Sequence, residues 1–189
     1  MDDIWYVCFM SKYRKVTYHS YAKEEVDGKN VQQITSRYEI KFIAVTYTLD
    51  NLKTFKQKIK SNLTPDLLNS KYREQNKTNP MFGHCVVVTQ ALYYLFDTDK
   101  LIPYRAEDSK GEIHWWIQDG KKIIDIVKSQ YTLQGLTPPY DNKKPLTNFS
   151  QKKNCNQAPC YWIGGWQGRM RKGTLKLLER VIDCKVKTY

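Results

Sequence analysis

The chain has 189 residues, enough for one domain with an accessory element, and 41% of them are hydrophobic, with 14 Tyr, 6 Phe and 5 Trp among them, which excludes wholesale disorder and allows a packed core. The longest apolar run lies within 85–96 and is too short to cross a bilayer, and Met1-Asp2-Asp3-Ile4 is acidic where a secretory leader would be basic, so a soluble, cytoplasmic protein without a membrane partner is expected. The net charge of +12 is uneven: residues 1–60 carry 11 Lys/Arg against 7 Asp/Glu, residues 61–140 carry nine of each, and residues 141–189 carry 11 against 3.

Residues 4–48 alternate apolar and polar side chains around an Asp27-Gly28 turn, as in Tyr38-Glu39-Ile40-Lys41-Phe42-Ile43. That pattern predicts an N-terminal β element over 1–48. A second unit, 49–189, then holds the rest. Leu52, Phe55 and Ile59 at helical spacing predict a helix opened by Asp50 as N-cap. Thr64 and Pro65 predict another, running to about Lys77. A third helix starts at Cys85 and ends at Leu95 or Phe96; it is apolar on every side and therefore central. Residues 101–105, 112–118 and 122–127 read as strands, the last two joined by a tight turn at Asp119-Gly120. Loops fill 134–165, and a basic helix over about 169–182 closes the chain.

The segment Asn79-Pro80-Met81-Phe82-Gly83-His84-Cys85 delivers a cysteine to a helix N-terminus. There the helix dipole and a neighbouring imidazole would favour the thiolate, which is the nucleophilic form. His114 and Asp125 are polar residues in strand-like runs. A turn at Asp119-Gly120 pairs Gln118 with Lys121 and so sets His114 opposite Asp125, where the carboxylate can hold Nδ1–H of the imidazole. Asn79 could donate to an oxyanion beside the Cys85 N–H. The competing account of Cys85 is an inert buried thiol. His84, adjacent to Cys85, should point away from the sulfur and is the second choice as base. The five cysteines, 8, 85, 155, 160 and 184, have no disulfide-framework spacing and suit a reducing compartment. Cys155 and Cys160 lack a standard zinc spacing, so neither a metal nor a cofactor is expected.

Together with Pro65-Asp66-Leu67-Leu68, Lys71-Tyr72-Arg73, Ala91-Leu92-Tyr93, His114-Trp115 and Pro138-Pro139-Tyr140-Asp141, this pattern resembles the YunG-like proteins, small bacterial and viral proteins. The likeness covers roughly 63–141. It implies an α+β fold with a papain-like or transglutaminase-like core, in which a cysteine-bearing helix packs on an antiparallel sheet. It also implies that Cys85 is nucleophile, His114 base and Asp125 third member of a triad. Where family members often read Asp-Pro-Thr or Asp-Leu-Thr, this chain has Asp125-Ile126-Val127. The expected activity is cysteine-dependent hydrolysis or acyl transfer at an amide, isopeptide or thioester bond of a protein or peptide-like substrate. The alternative is a non-catalytic binding module on the same fold. It would hold nucleic acid or an acidic protein through the basic C-terminal region, with Lys152, Lys153, Arg169, Arg171 and Lys172 as the contacts.

Overall fold

The computed structural model describes residues 4–10, 13–26, 29–145, 171–182 and 185–188, with side chains described over 43–143 and 171–182. The fold is mixed α+β. Strands β1 (Ile4–Met10), β2 (Tyr13–Val26) and β3 (Lys29–Ile43) pair antiparallel in sequence order. The β2–β3 ladder runs down to Val26 opposite Lys29; the connecting Asp27 and Gly28 lie outside the described residues. A strand after the last helix, β10 (Lys185–Thr188), adds to β3. The basic helix therefore does not close the chain, and the N-terminal sheet draws one strand from its other end.

Helix α1 (Leu49–Ser61) begins two residues earlier than a cap at Asp50 would allow. Thr48, in extended conformation, accepts from the Asn51 N–H at 3.1 Å, and Asp50 falls in the first turn. The single helix predicted after Thr64 is broken. A 3-10 turn (Pro65–Leu67) ends at an extended Leu68, and α2 (Ser70–Thr78) restarts with Asn69 as its cap. Thr64 does not cap: its hydroxyl bonds the Asp66 carboxylate instead.

Helix α3 (Cys85–Leu95) is buried at every position. Its Val86-Val87-Val88-Thr89 run would suit a strand, and each β-branched residue costs about 0.5 kcal/mol in a helix. Full burial of each contributes about 2 kcal/mol, so packing decides. The helix packs against β6 (Leu101–Glu107), β7 (Ile113–Asp119) and the final helix α5 (Lys172–Val181). Two-residue strands β4 (Val45–Thr46) and β5 (Phe96–Asp97) pair in parallel at its end. The antiparallel sheet beneath has the order β8-β7-β6-β9, with β8 at Lys122–Ile124 and β9 at Lys144–Pro145.

The one long polar side chain inside α3, Gln90, has a structural use. Its Oε1 accepts from the Arg171 N–H at 3.1 Å and the Thr174 hydroxyl at 2.8 Å, capping the start of α5. Nearby, α5 approaches the 3-10 turn so closely that a Cβ on Gly173 would lie 2.0 Å from the Leu67 carbonyl oxygen. Gly173→Ala should therefore destabilise the protein by about 3 kcal/mol. Gly120→Ala, with nothing within 4 Å of the new Cβ and only its φ of +57° to strain, should cost about 1 kcal/mol. Urea unfolding midpoints of the two variants test the ranking.

Candidate active site

The turn ahead of α3 is held from inside. Asn76, buried on α2, donates its side-chain amide to the carbonyls of Pro80 and Phe82, both at 3.0 Å, and lies 3.4 Å from Nδ1 of His84. Gly83 takes φ +81°, and a Cβ there would meet the Tyr72 Cβ at 2.9 Å, so both the backbone angle and the close approach require glycine. His84 is fully buried, with Nε2 3.1 Å from the Thr64 carbonyl. A carbonyl only accepts, so Nε2 carries a hydrogen, and burial keeps the pKa of the ring low. Its contacts run to Asn76 and the Thr64 carbonyl and tie the start of α3 to the 3-10 turn. Cys85, 8% exposed, occupies the first position of α3 and donates weakly to the Ile113 carbonyl at 3.8 Å.

His114 and Asp125 are in contact, at a register and ring orientation other than expected. The β7–β8 ladder pairs Asp119 with Lys122 and Ile117 with Ile124, so the turn is Gly120-Lys121 and the register is displaced by two residues. A two-residue displacement preserves the face. Asp125 lies just past β8, diagonal to His114, and still reaches it. The bond is His114 Nε2 to Asp125 Oδ2, 2.8 Å, with both side chains at most 2% exposed; the expected Nδ1 contact is not the one made. Asp125 is satisfied further by the Tyr140 hydroxyl on Oδ2, 2.7 Å, and the Val127 N–H on Oδ1, 3.0 Å. Burial, with the Asp125 charge beside it, pushes the Tyr140 hydroxyl far up, so it stays a donor.

Nδ1 of His114 faces Gln130, whose Nε2 is 2.8 Å away. Gln130 lies on a one-turn helix, α4 (Ser129–Thr132). Its carbonyl accepts from the Asn79 side-chain amide at 2.9 Å and from the Gln134 amide at 2.8 Å. Asn79 is buried at the C-terminal cap of α2; one amide hydrogen is thus engaged with Gln130, and its Oδ1 has no partner among the described residues. Aromatic rings complete the enclosure of the imidazole: Trp116 stacks at 5.7 Å and Tyr131 meets it edge-on at 4.9 Å. The Tyr131 hydroxyl bonds Asp108 at 2.9 Å. Burial opposes ionisation of Asp108, but the Glu112 and Lys110 N–H groups and Tyr131 prevail and hold its carboxyl below the usual range. Gln130 and Tyr131 carry no signal in the sequence, and Tyr140 enters only within the Pro138-Pro139-Tyr140-Asp141 stretch of the resemblance, with no role attached. A four-residue helix has no periodicity to detect, and Tyr140 follows a double proline whose pattern signals only a turn.

Cys85, His114, Asn79 and Gln130 line one cleft of about 1250 Å³. Lys71, Arg105, Lys110 and Arg171 line it too, against Asp108 and Glu112. Arg171, from the basic last quarter, therefore lines the same cleft as the cysteine. Lys152, Lys153 and Arg169 lie outside the described residues, as do the side chains of the other four cysteines. Among the described residues no cluster of His, Cys, Asp or Glu could hold a metal ion, and no helix is long and apolar enough to cross a membrane. The chain matches no protein-family model, no curated protein and no solved structure.

Burial alone would lower the pKa of His114. Hydrogen bonds and charges from Asp125 and from the Cys85 sulfur outweigh it and raise the imidazole to about 9. Because the folded value lies above the ordinary one near 6.5, His114 protonation stabilises the fold fully below about pH 6.5, and this contribution is lost as pH rises through about 9. Titration of the His114 Cε1–H resonance should give a midpoint near 9 in the wild type and lower values in Cys85→Ala and Asp125→Asn. A wild-type midpoint near 6.5 would contradict the assignment.

Proposed function

We propose that the protein is a cysteine-dependent acyl-transfer enzyme on a papain-like or transglutaminase-like core, of the kind the YunG-like resemblance implies. It would hydrolyse an amide, isopeptide or thioester bond, or pass the acyl group to another acceptor. The observation that carries this reading is a buried His114–Asp125 hydrogen bond, 2.8 Å long, beside a cysteine at a helix N-terminus. The Cys85 proton moves to Nδ1 of His114, and the thiolate attacks the substrate carbonyl. Collapse of the tetrahedral adduct breaks the bond to the leaving group, which takes the proton from Nδ1. Water, or an acceptor amine, then attacks the thioester with His114 as base. Asp125 remains a carboxylate and fixes the ring through Nε2, in turn held by Tyr140 and the Val127 N–H. The Cys85 N–H at the head of α3 is the oxyanion donor, and the second amide hydrogen of Asn79 could join it.

Iodoacetamide at neutral pH should alkylate Cys85 fastest of the five cysteines, and His114→Ala should slow it at least about tenfold. Mass spectrometry of the labelled peptides reads both. Equal reactivity of all five cysteines, or no effect of His114→Ala, rejects the mechanism.

The cleft favours an acyl donor bearing acidic groups. Among the described residues four cations and two acids line it, and of the acids Asp108 already accepts from two backbone N–H groups and Tyr131. Two surplus charges beside a half-enclosed site raise the local concentration of an anion. The rate ratio of iodoacetate to iodoacetamide at Cys85 should therefore fall severalfold in a Lys71→Ala, Arg105→Ala, Lys110→Ala triple variant, and fall likewise with added salt. An unchanged ratio removes the preference for acidic substrates and leaves the thiol chemistry standing.

A further inference from the structure

Among the described residues five large hydrophobic side chains are exposed, and two of them, Ile113 at 42% and Leu133 at 68%, line the cleft that holds Cys85. A single exposed aliphatic residue is ordinary on a protein surface. Here two converge on one site. Ile113 opens β7, and its carbonyl receives the Cys85 thiol at 3.8 Å. Leu133 follows the last residue of α4, the short helix whose Gln130 side chain lies 2.8 Å from the His114 ring.

The two elements are braced against each other. The Tyr131 hydroxyl donates to Asp108 at 2.9 Å, and Lys110 Nζ donates to the Gln134 side-chain oxygen at 3.4 Å, so the tip of the β6–β7 hairpin is tied to α4 and the turn after it. Leu136, from that same turn, is half-buried and also lines the cleft; its N–H donates to the Tyr131 carbonyl at 3.1 Å. Three aliphatic residues on two connected elements thus border the cleft, and the cations that line it elsewhere offer them nothing to pack on. Water against such side chains is unfavourable, and an aliphatic group on a ligand displaces it.

We infer that Ile113, Leu133 and Leu136 form a subsite for an aliphatic group of the acyl donor, so that the substrate carries an apolar group close to the bond that is broken as well as an acidic group for the cations. This deepens the acyl-transfer reading and rests on it. The subsite forms no bond and moves no proton; it holds the donor while Sγ attacks. Such burial strengthens ground state and transition state alike, so it is read in the second-order rate of acylation.

The test compares acylation of Cys85 by p-nitrophenyl acetate and p-nitrophenyl hexanoate. In each, Sγ forms a thioester with the carbonyl carbon, p-nitrophenolate departs with the electrons of the broken C–O bond, and the thiol proton passes to His114. p-Nitrophenolate absorbance gives the rate, and the mass of the labelled peptide places the acyl group on Cys85. Each rate is divided by that of glutathione with the same ester, which removes the intrinsic difference between the esters. Full burial of one CH2 gives about fourfold, so the four additional CH2 groups of hexanoate, partly covered in an open cleft, should give the wild type a preference of about tenfold. Leu133→Ser and Ile113→Thr should each cut that preference to about threefold or less, and Leu133→Ser should leave the acetate rate unchanged. If Ile113→Thr unfolds under assay, Leu133→Ser, at the more exposed position, decides. The p-nitrophenyl ester of N-acetylleucine separates the two sources of such a group: faster than hexanoate for an amino-acid side chain, slower for a straight acyl chain, and either supports the subsite. Acylation without a chain-length preference, or a preference that neither variant lowers, overturns the subsite and leaves the acyl-transfer reading in place. If Leu133→Ser converts a dimer to a monomer in sedimentation and the ratio does not move, a second copy of the chain covers these residues and the subsite is overturned. No acylation of Cys85 by any of the esters, or a His114→Ala variant as fast as the wild type, overturns the acyl-transfer reading and the subsite with it.

Discussion

An eleven-residue helix without a polar face has to be covered on all sides, and the covering of α3 arranges everything else. Strands β6 and β7 and helix α5 pack on it, and its end receives Phe96, on which Tyr47 and Phe55 close edge-on. Its start cannot be sealed in the same way, since the first N–H groups of a helix have no partners within it. That start is where Cys85 sits and where β7 brings His114 alongside. The position of the sulfur follows from hydrophobic burial, and only its immediate partners depend on polar chemistry.

Those partners come from three separate pieces of chain, and each is tied to the next. Asn76 on α2 organises the Pro80–His84 turn, Asn79 at the end of α2 reaches the carbonyl of Gln130, and Gln130 reaches His114. On the opposite side of the ring, Asp125 is satisfied by Tyr140 and the Val127 N–H. The imidazole is thus held at both nitrogens and between aromatic rings, so its position is set by several contacts and not by one rotamer. Loss of Asn79 would act on Cys85 and His114 together, because it links the turn before one to the helix that clamps the other.

Much of this was legible because the signals were strong where the site is. An unbroken apolar stretch of helical length after Gly83 could only be a buried helix, and alternation on either side of Gly120 could only be a hairpin. The pairing of His114 with Asp125 was reached through a register in error by two residues. The contact survived because strand faces repeat every two residues, whereas an error of one would have separated the pair. The ring orientation was not legible, since nothing in a strand pattern decides which imidazole nitrogen turns inward. The break at Leu68 was missed because Thr64-Pro65 looks like a helix start, while the Thr64–Asp66 and Asn69–Lys71 bonds that compete with helix are local and irregular. Strand β10 was missed because four residues, Lys185-Val186-Lys187-Thr188, carry too short an alternation to separate from a tail.

The energetics of the His114–Asp125 pair are the physical reason to connect it with function. Burying both side chains almost completely carries a desolvation cost of several kcal/mol per charge, and their mutual attraction at best offsets it. Apolar side chains of similar volume at such positions are often neutral or stabilising by about 1–4 kcal/mol. The pair is surrounded by groups that would suit that replacement: Trp116, Tyr131 and Tyr140 already pack on it. A hydrophobic core with this much aromatic surface at hand does not need an ionisable dyad to hold together, and the dyad brings with it further polar commitments at Tyr140, Val127 and Gln130. The fold carries these at a point where a helix-start cysteine, a buried histidine and an enclosing cleft meet, the kind of place where perturbed ionisable groups more often serve chemistry than stability.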